Sequence, residues 1–162
     1  MGIAYLSLGT NIGRKEDNLR KALRALEQEI GTLLKCSSFI DTAPWGFDST
    51  HRFLNAAVSF QTELQPLELL KVTQQIERKL GRNSKSHNGL YQDRIIDIDI
   101  LFYDQQIIQT EELTLPHPLI SQRRFVLEPL SEIAADFVHP TLHASINELL
   151  HRLTETNHEH PL

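Results

Sequence analysis

The 162 residues carry 40% hydrophobic and 23% charged side chains, ordinary globular values that exclude a disordered chain and predict one domain, residues 1–162, with a single core. A formal net charge of −5 excludes a general nucleic-acid binder, whose affinity grows with Lys and Arg contacts, but leaves room for a small anion held by local positive charge. The lone Cys36 excludes an internal disulfide and, beside Leu33 and Leu34, is expected to be a packed, inert thiol; without a basic-then-apolar leader or an apolar run of membrane length, the chain is expected in the cytoplasm, off the membrane.

Residues 2–9 read as a short buried strand, with Ile3, Tyr5 and Leu8 among small residues, closed by the turn-prone Gly9-Thr10-Asn11-Ile12-Gly13. Over residues 14–30 the apolar positions Leu19, Ala22, Leu23, Leu26 and Ile30 recur at helical spacing, and Gly31 is a natural stop. Residues 37–42 and 53–62 carry β-favouring side chains. The connection between them is too long for a tight hairpin, which points to a functional loop. Trp45, Phe47 and Phe53 are unusual in so polar a neighbourhood, where aromatics tend to mark recognition of a flat ring. Asn55 follows Phe53 by two and so shares its side of a strand, with an amide able to donate and accept toward a heterocycle edge. Core packing for Phe53 and a turn role for Asn55 are the competing readings.

Pro66 and Gly81 frame a second helix whose apolar face is expected to carry Leu67, Leu70, Ile76 and Leu80. Gln74 and Glu77 interrupt that spacing, either as surface positions or as groups reaching a ligand. From Arg78 to Gln92 there is no acidic residue, while Arg78, Lys79, Arg82 and Lys85 are basic. Such a loop is either merely solvated or suited to polyphosphate.

It opens onto Asp93-Arg94-Ile95-Ile96-Asp97-Ile98-Asp99-Ile100-Leu101-Phe102. Alternation along a strand sends Ile96, Ile98, Ile100 and Phe102 to one face and Asp97 and Asp99 to the other. Two carboxylates so close repel unless a cation lies between them, and Mg²⁺, which prefers oxygen, is the usual answer. A solvated edge strand is the alternative; Arg94, within reach of a phosphate, favours the metal. The order strand, helix, strand, strand, helix, strand predicts an α+β, ferredoxin-like split βαβ: an antiparallel sheet with both helices on one face, leaving function to the other face and the loops. After residue 106 the expectation is a C-terminal appendage: a small strand at Ile107-Ile108, a stretch broken by Pro116 and Pro118 that holds His117 rigidly, and an amphipathic helix over residues 146–153. No Walker loop, G-x-G-x-x-G, paired Cys or nucleophile elbow is present, so a P-loop, zinc or covalent mechanism has no support.

Further segments complete a pattern: Ala4-Tyr5-Leu6-Ser7-Leu8-Gly9-Thr10-Asn11, Thr42-Ala43-Pro44, Phe53-Leu54-Asn55-Ala56-Ala57-Val58, Gln74-Gln75-Ile76-Glu77, Gly81-Arg82, the aspartate strand, Leu115-Pro116-His117 and Arg123-Arg124-Phe125-Val126-Leu127. In order and over nearly the whole chain, they resemble the 6-hydroxymethyl-7,8-dihydropterin pyrophosphokinase family of folate biosynthesis. The resemblance implies transfer of diphosphate from ATP to the pterin, with Asp97 and Asp99 as ligands of two Mg²⁺ ions and Arg82, Arg94 and the two aspartates as catalytic residues. It implies ATP binding by Gln74, Glu77, Arg82, Lys85, Arg94, Thr114, His117 and Arg123. Pterin binding falls to Thr42, Ala43, Pro44, Trp45, Asn55 and a sandwich of Phe53 and Phe125. The expected partners are these two small molecules, without nucleic acid or membrane, on a monomer. The basic loop offers Ser84, Lys85, Asn88 and Tyr91 where familiar members carry further arginines and a tryptophan.

Overall fold

Side-chain alternation in β1 (Gly2–Thr10) buries Ala4, Leu6 and Leu8 on one face and turns Tyr5, Ser7 and Gly9 to the other. A computed structural model describes residues 1–42, 52–81 and 95–159 of the chain. β1 lies between two antiparallel neighbours, β4 (Phe53–Thr62) and β5 (Asp97–Tyr103). The outer side of β4 is shared by β2 (Gly31–Cys36) and the short β3 (Ile40–Thr42), giving the order β2-β4-β1-β5 with β3 beside the first residues of β4.

One face of this sheet is closed by α1 (Lys15–Glu29) and α2 (Pro66–Leu80). Leu19, Ala22 and Leu26 of α1 and Leu69 and Ile76 of α2 meet Leu6, Leu8, Val58, Phe60, Ile98 and Ile100 in one apolar cluster. The other face is covered over part of its length by α3 (Arg124–Ala134), α4 (Ile146–Glu159) and a 3-10 turn at Ile120–Gln122, where Val126, Leu127, Leu130, Ile146 and Leu149 pack on Ala57, Leu101 and Phe102. The molecule thus combines four α-helices with an antiparallel sheet among the described residues. None of the described helices is long and apolar enough to cross a membrane.

Several expectations are corrected. Phe102 does not share a face with Ile96, Ile98 and Ile100, because the register of β5 slips opposite Tyr5 and Leu6: Leu101 is an extra residue, and both Leu101 and Phe102 fall into the second cluster. Gly9 and Thr10 continue β1 rather than open the turn, in which Gly13 takes φ 73°. The strand expected at residues 37–42 is divided, since pairing starts at Gly31, breaks at residues 37–39 and resumes at Ile40. In α2 the buried stripe is Leu69, Thr73 and Ile76, and Leu67 is 39% exposed. Pro66 at the first turn and the Glu68 carboxylate, which accepts from Gln65 N at 3.0 Å, fix the start of the helix and so its phase. Cys36 is exposed rather than packed, on the outermost strand. Partial burial of its sulfur and the nearby Glu132 carboxylate still push its thiol up, against a nucleophilic role. The strand expected at Ile107-Ile108 is β6 (Ile108–Gln109), paired with β7 (Thr114–Leu115), and α4 runs on past residue 153.

Candidate active site

Strand register brings the expected residues together across β1. Gly9 pairs with Asp97 on one side and Asn55 on the other; two residues back, Ser7 pairs with Asp99 and Ala57. All alternate with residues of the α1/α2 cluster, so Asp97, Gly9 and Asn55 form one row on the opposite face, about 10 Å from end to end at the usual strand spacing. The middle of that row is bare. A Cβ on Gly9 would stand 2.9 Å from Asn55 Oδ1 and 3.7 Å from the Phe53 ring, placing Phe53 and Asn55 on this same face. Asn55 is 3% exposed, and its Nδ2 donates to Thr42 Oγ1 at 2.6 Å, so β3 and β4 lock one end of the row.

At the other end β5 is the sheet edge among the described residues, and α2 reaches over it. Glu77 Oε2 accepts from Ile98 N at 2.8 Å, meeting a backbone donor on the side of β5 away from β1. Burial pushes the Glu77 carboxyl up to about 7, and the adjacent Asp97, which shares a hydrogen bond with it, and then Asp99 add to the rise against the opposing effect of the Ile98 bond. Three carboxylates are thereby crowded beside one strand end. Among the described residues no three His, Cys, Asp or Glu converge as a self-sufficient metal cage. The carboxylates of Asp97 and Asp99 offer oxygen donors, the kind a hard cation prefers.

His117 is fixed to the same strand, since its N–H donates to Leu101 O at 3.0 Å just after the cis Leu115–Pro116 bond. Its Nδ1 accepts from Leu119 N at 3.2 Å, which leaves the proton of the neutral ring on Nε2. Burial lowers its pKa, helped by the Arg123 charge and opposed by Asp97, so His117, Arg123 and Asp97 lie within electrostatic reach of one another. Arg123 caps the start of α3 and holds its guanidinium 5.6 Å from the Phe125 ring centroid. Phe125 is half-buried against the second cluster, on the face that also carries Phe53. Gln74 and Thr114 are exposed, one turn before Glu77 and three residues before His117. Arg82, Lys85, Arg94, Ala43, Pro44 and Trp45, with Phe47, Ser84, Asn88 and Tyr91, lie outside the described residues.

The pattern of the 7,8-dihydro-6-hydroxymethylpterin-pyrophosphokinase (HPPK) family matches residues 5–135. The chain belongs to this family. The matched span runs from β1 through α3, so all the site residues above fall inside it and α4 falls outside. The chain is 50% identical over 141 residues to the 2-amino-4-hydroxy-6-hydroxymethyldihydropteridine pyrophosphokinase of Porphyromonas gingivalis, covering 86% of this chain and 95% of that protein. It is 46% identical over 132 residues to the protein of the same name from Bacillus subtilis, covering 81% and 77%. Its fold is like that of Plasmodium falciparum HPPK-DHPS, with a TM-score of 0.79 at 18% identity over 99% of this chain and 46% of that longer one.

Two contributors escaped the sequence reading. Gly9 was legible as a strand end, a turn former and part of the family pattern, but its value as a bare position emerges once two registers are combined. Glu132 carried no motif of its own; its partner is Ser38, 94 residues earlier.

Proposed function

We propose that the chain transfers diphosphate from ATP to 6-hydroxymethyl-7,8-dihydropterin, giving AMP and the pterin diphosphate for folate synthesis, as a single cytoplasmic domain acting as a monomer. Family membership and the names of relatives that match nearly end to end support the activity. The observation that carries the residue reading is the row Asp97–Gly9–Asn55: an anionic end suited to cations and a polar amide end suited to a heterocycle, on one open sheet face. The strand order, with α1 and α2 on a single face, supports the ferredoxin-like split βαβ, followed by a C-terminal appendage of α3 and α4.

In this reading Asp97 and Asp99 would hold two Mg²⁺ ions, which supply charge neutralisation to the ATP phosphates. Arg82, Lys85, Arg94 and Arg123 pair with phosphate oxygens that the metal leaves free. Gln74, Glu77, Thr114 and His117 complete the nucleotide site, His117 as a neutral Nε2–H donor. Phe53 and Phe125 stack on the pterin, while Asn55, Thr42 and residues 43–45 read its edge. The pterin hydroxymethyl oxygen attacks the β-phosphorus, its proton is lost to solvent or a phosphate oxygen, and AMP leaves. Alignment and electrostatics carry most of the rate, so the reading asks for no strong base.

Chromatography of a mixture of protein, Mg-ATP and the reduced hydroxymethylpterin is expected to show AMP, formed only when the pterin is present. ADP as the product, or ATP consumption without pterin, would overturn the assignment.

A further inference from the structure

Helix α3 touches both ends of the strip of chain that forms the pterin side of the site. Phe125 stands in its first turn and Glu132 two turns later. Seven residues advance a helix by nearly two whole turns, so the two side chains share one face and are spaced by about 10 Å along it. Phe125 belongs to the proposed ring sandwich. Glu132 reaches the other wall: its carboxylate accepts from Ser38 N at 2.8 Å and from Ser38 Oγ at 2.8 and 3.0 Å.

Ser38 occupies the break between β2 and β3, a place where the β4 ladder is kept by the preceding residue. Ser37 N donates to Ala57 O at 2.9 Å, and Ser37 Oγ accepts from Ala57 N at 2.9 Å while donating to Ser38 O at 2.8 Å. Ser37 is thus satisfied by β4. Ser38 turns outward, and its own backbone donor is met by Glu132. Immediately beyond, β3 pairs Ile40 with Asn55 and Thr42 with Phe53, and Thr42 Oγ1 accepts the Asn55 amide. A charge-assisted contact, exposed to solvent but shorter than a neutral one, therefore ties α3 to the chain just before the strand that orients Asn55.

We infer that Glu132, through Ser38, is a positioning residue for pterin recognition: it fixes β3 and the Asn55 amide relative to Phe125 without touching substrate. The inference rests on the pterin reading of the Phe53, Asn55 and Phe125 site. Apart from Arg123 at the start of α3, the described residues of the nucleotide end lie across β1 on β5, α2 and the segment of Thr114 and His117, so loss of Glu132 is expected to fall on the pterin first.

The test is steady-state kinetics and direct pterin binding by calorimetry for the unaltered protein, Glu132→Ala, Glu132→Gln and Ser38→Ala, each with a melting curve. Glu132→Ala is expected to raise the pterin KM and Kd about tenfold, the effect of roughly one lost hydrogen bond, with KM for Mg-ATP and kcat within twofold. Glu132→Gln keeps an acceptor for Ser38 N and is expected to recover part of the loss. Ser38→Ala removes only the hydroxyl contacts and keeps the backbone donor to Glu132, so its loss should be smaller than that of Glu132→Ala, and the double variant should be no worse than Glu132→Ala alone. Unchanged pterin binding in folded Glu132→Ala would overturn the inference, as would equal losses for both substrates that follow the melting temperature. Should Glu132→Ala fail to fold, the shorter Glu132→Asp, which draws the carboxylate back from Ser38, decides by the same criteria. An unaltered protein that neither binds pterin nor makes AMP would instead remove the reading of the site itself.

Discussion

At Gly9 a methyl group would have to enter the 2.9 Å gap to Asn55 Oδ1, tighter than ordinary contact, and the Asn55 amide is the softer of the two. Gly9→Ala is expected to turn that amide from Thr42, weakening pterin binding about tenfold while Mg-ATP binding stays within twofold. Titration calorimetry with each substrate reads the split, and equal effects on both would refute the bare-floor role. At the anionic end, Asp97→Asn removes a proposed metal ligand and the carboxylate nearest Glu77. Turnover should fall by about two to three orders of magnitude with no loss of melting temperature, because like charges without a counterion do not favour folding. Glu77, held up to about 7 partly by Asp97, should titrate lower in the variant by carboxyl NMR. A large stability loss with Glu77 unmoved would make Asp97 a structural residue. Alternation alone revealed that Asp97 and Asp99 share a side, as do Phe53 and Asn55. That both pairs flank Gly9 depends on two inter-strand registers, which one-dimensional periodicity does not contain.

Elements with a clean period and marked ends were readable: α1 and α2 fall where apolar spacing and the framing Pro66, Gly81 and Gly31 predict. α3 was not, because Pro129 interrupts it and no side-chain cap bond marks its start. It forms because Val126, Leu127 and Leu130 bury fully or nearly so on Leu101 and Phe102, and tertiary packing outweighs the lost backbone bond. The slip in β5 was equally hidden, yet it is what lets one strand offer Ile100 to the first cluster and two successive residues to the second. Gly31 shows how tightly elements meet. It ends α1 and begins β2, and a Cβ there would collide with the Gln61 carbonyl of β4, which is backbone and cannot swing aside. Gly31→Ala should therefore cost about 3 kcal/mol, measured as a lower urea midpoint with unchanged m. A neutral result would mean that β2 can shift outward freely at the sheet edge.

Over the whole molecule the sheet separates two apolar clusters, and the candidate site occupies the stretch of the second face that α3 and α4 leave uncovered. The layer built by these helices also depends on the turn between them, where His139 is 5% exposed and its ring meets Phe102 edge-on at 5.5 Å. Its N–H donates to Ala144 O at 2.8 Å, and its Nδ1 accepts from Thr141 N at 3.2 Å and Leu142 N at 3.1 Å. Protonating that nitrogen would set donor against donor. Burial, then the His143 charge, lowers the His139 pKa below the ordinary value of 6.5. The unfolded chain then binds the extra proton more readily, so the stability His139 contributes is present above pH 6.5 and is lost as pH falls toward its folded pKa. Glu77 works in the opposite sense: its raised pKa contributes stability below about 4.5 that is lost as pH rises through about 7. The two overlap, so the unaltered protein's curve alone does not isolate either. His139→Asn does, because an Asn oxygen takes the place of Nδ1 as acceptor but does not titrate. Between pH 7.5 and 5.5 the urea midpoint of His139→Asn should fall less than that of the unaltered protein, and parallel curves would assign the acid sensitivity elsewhere, with His117 the next candidate.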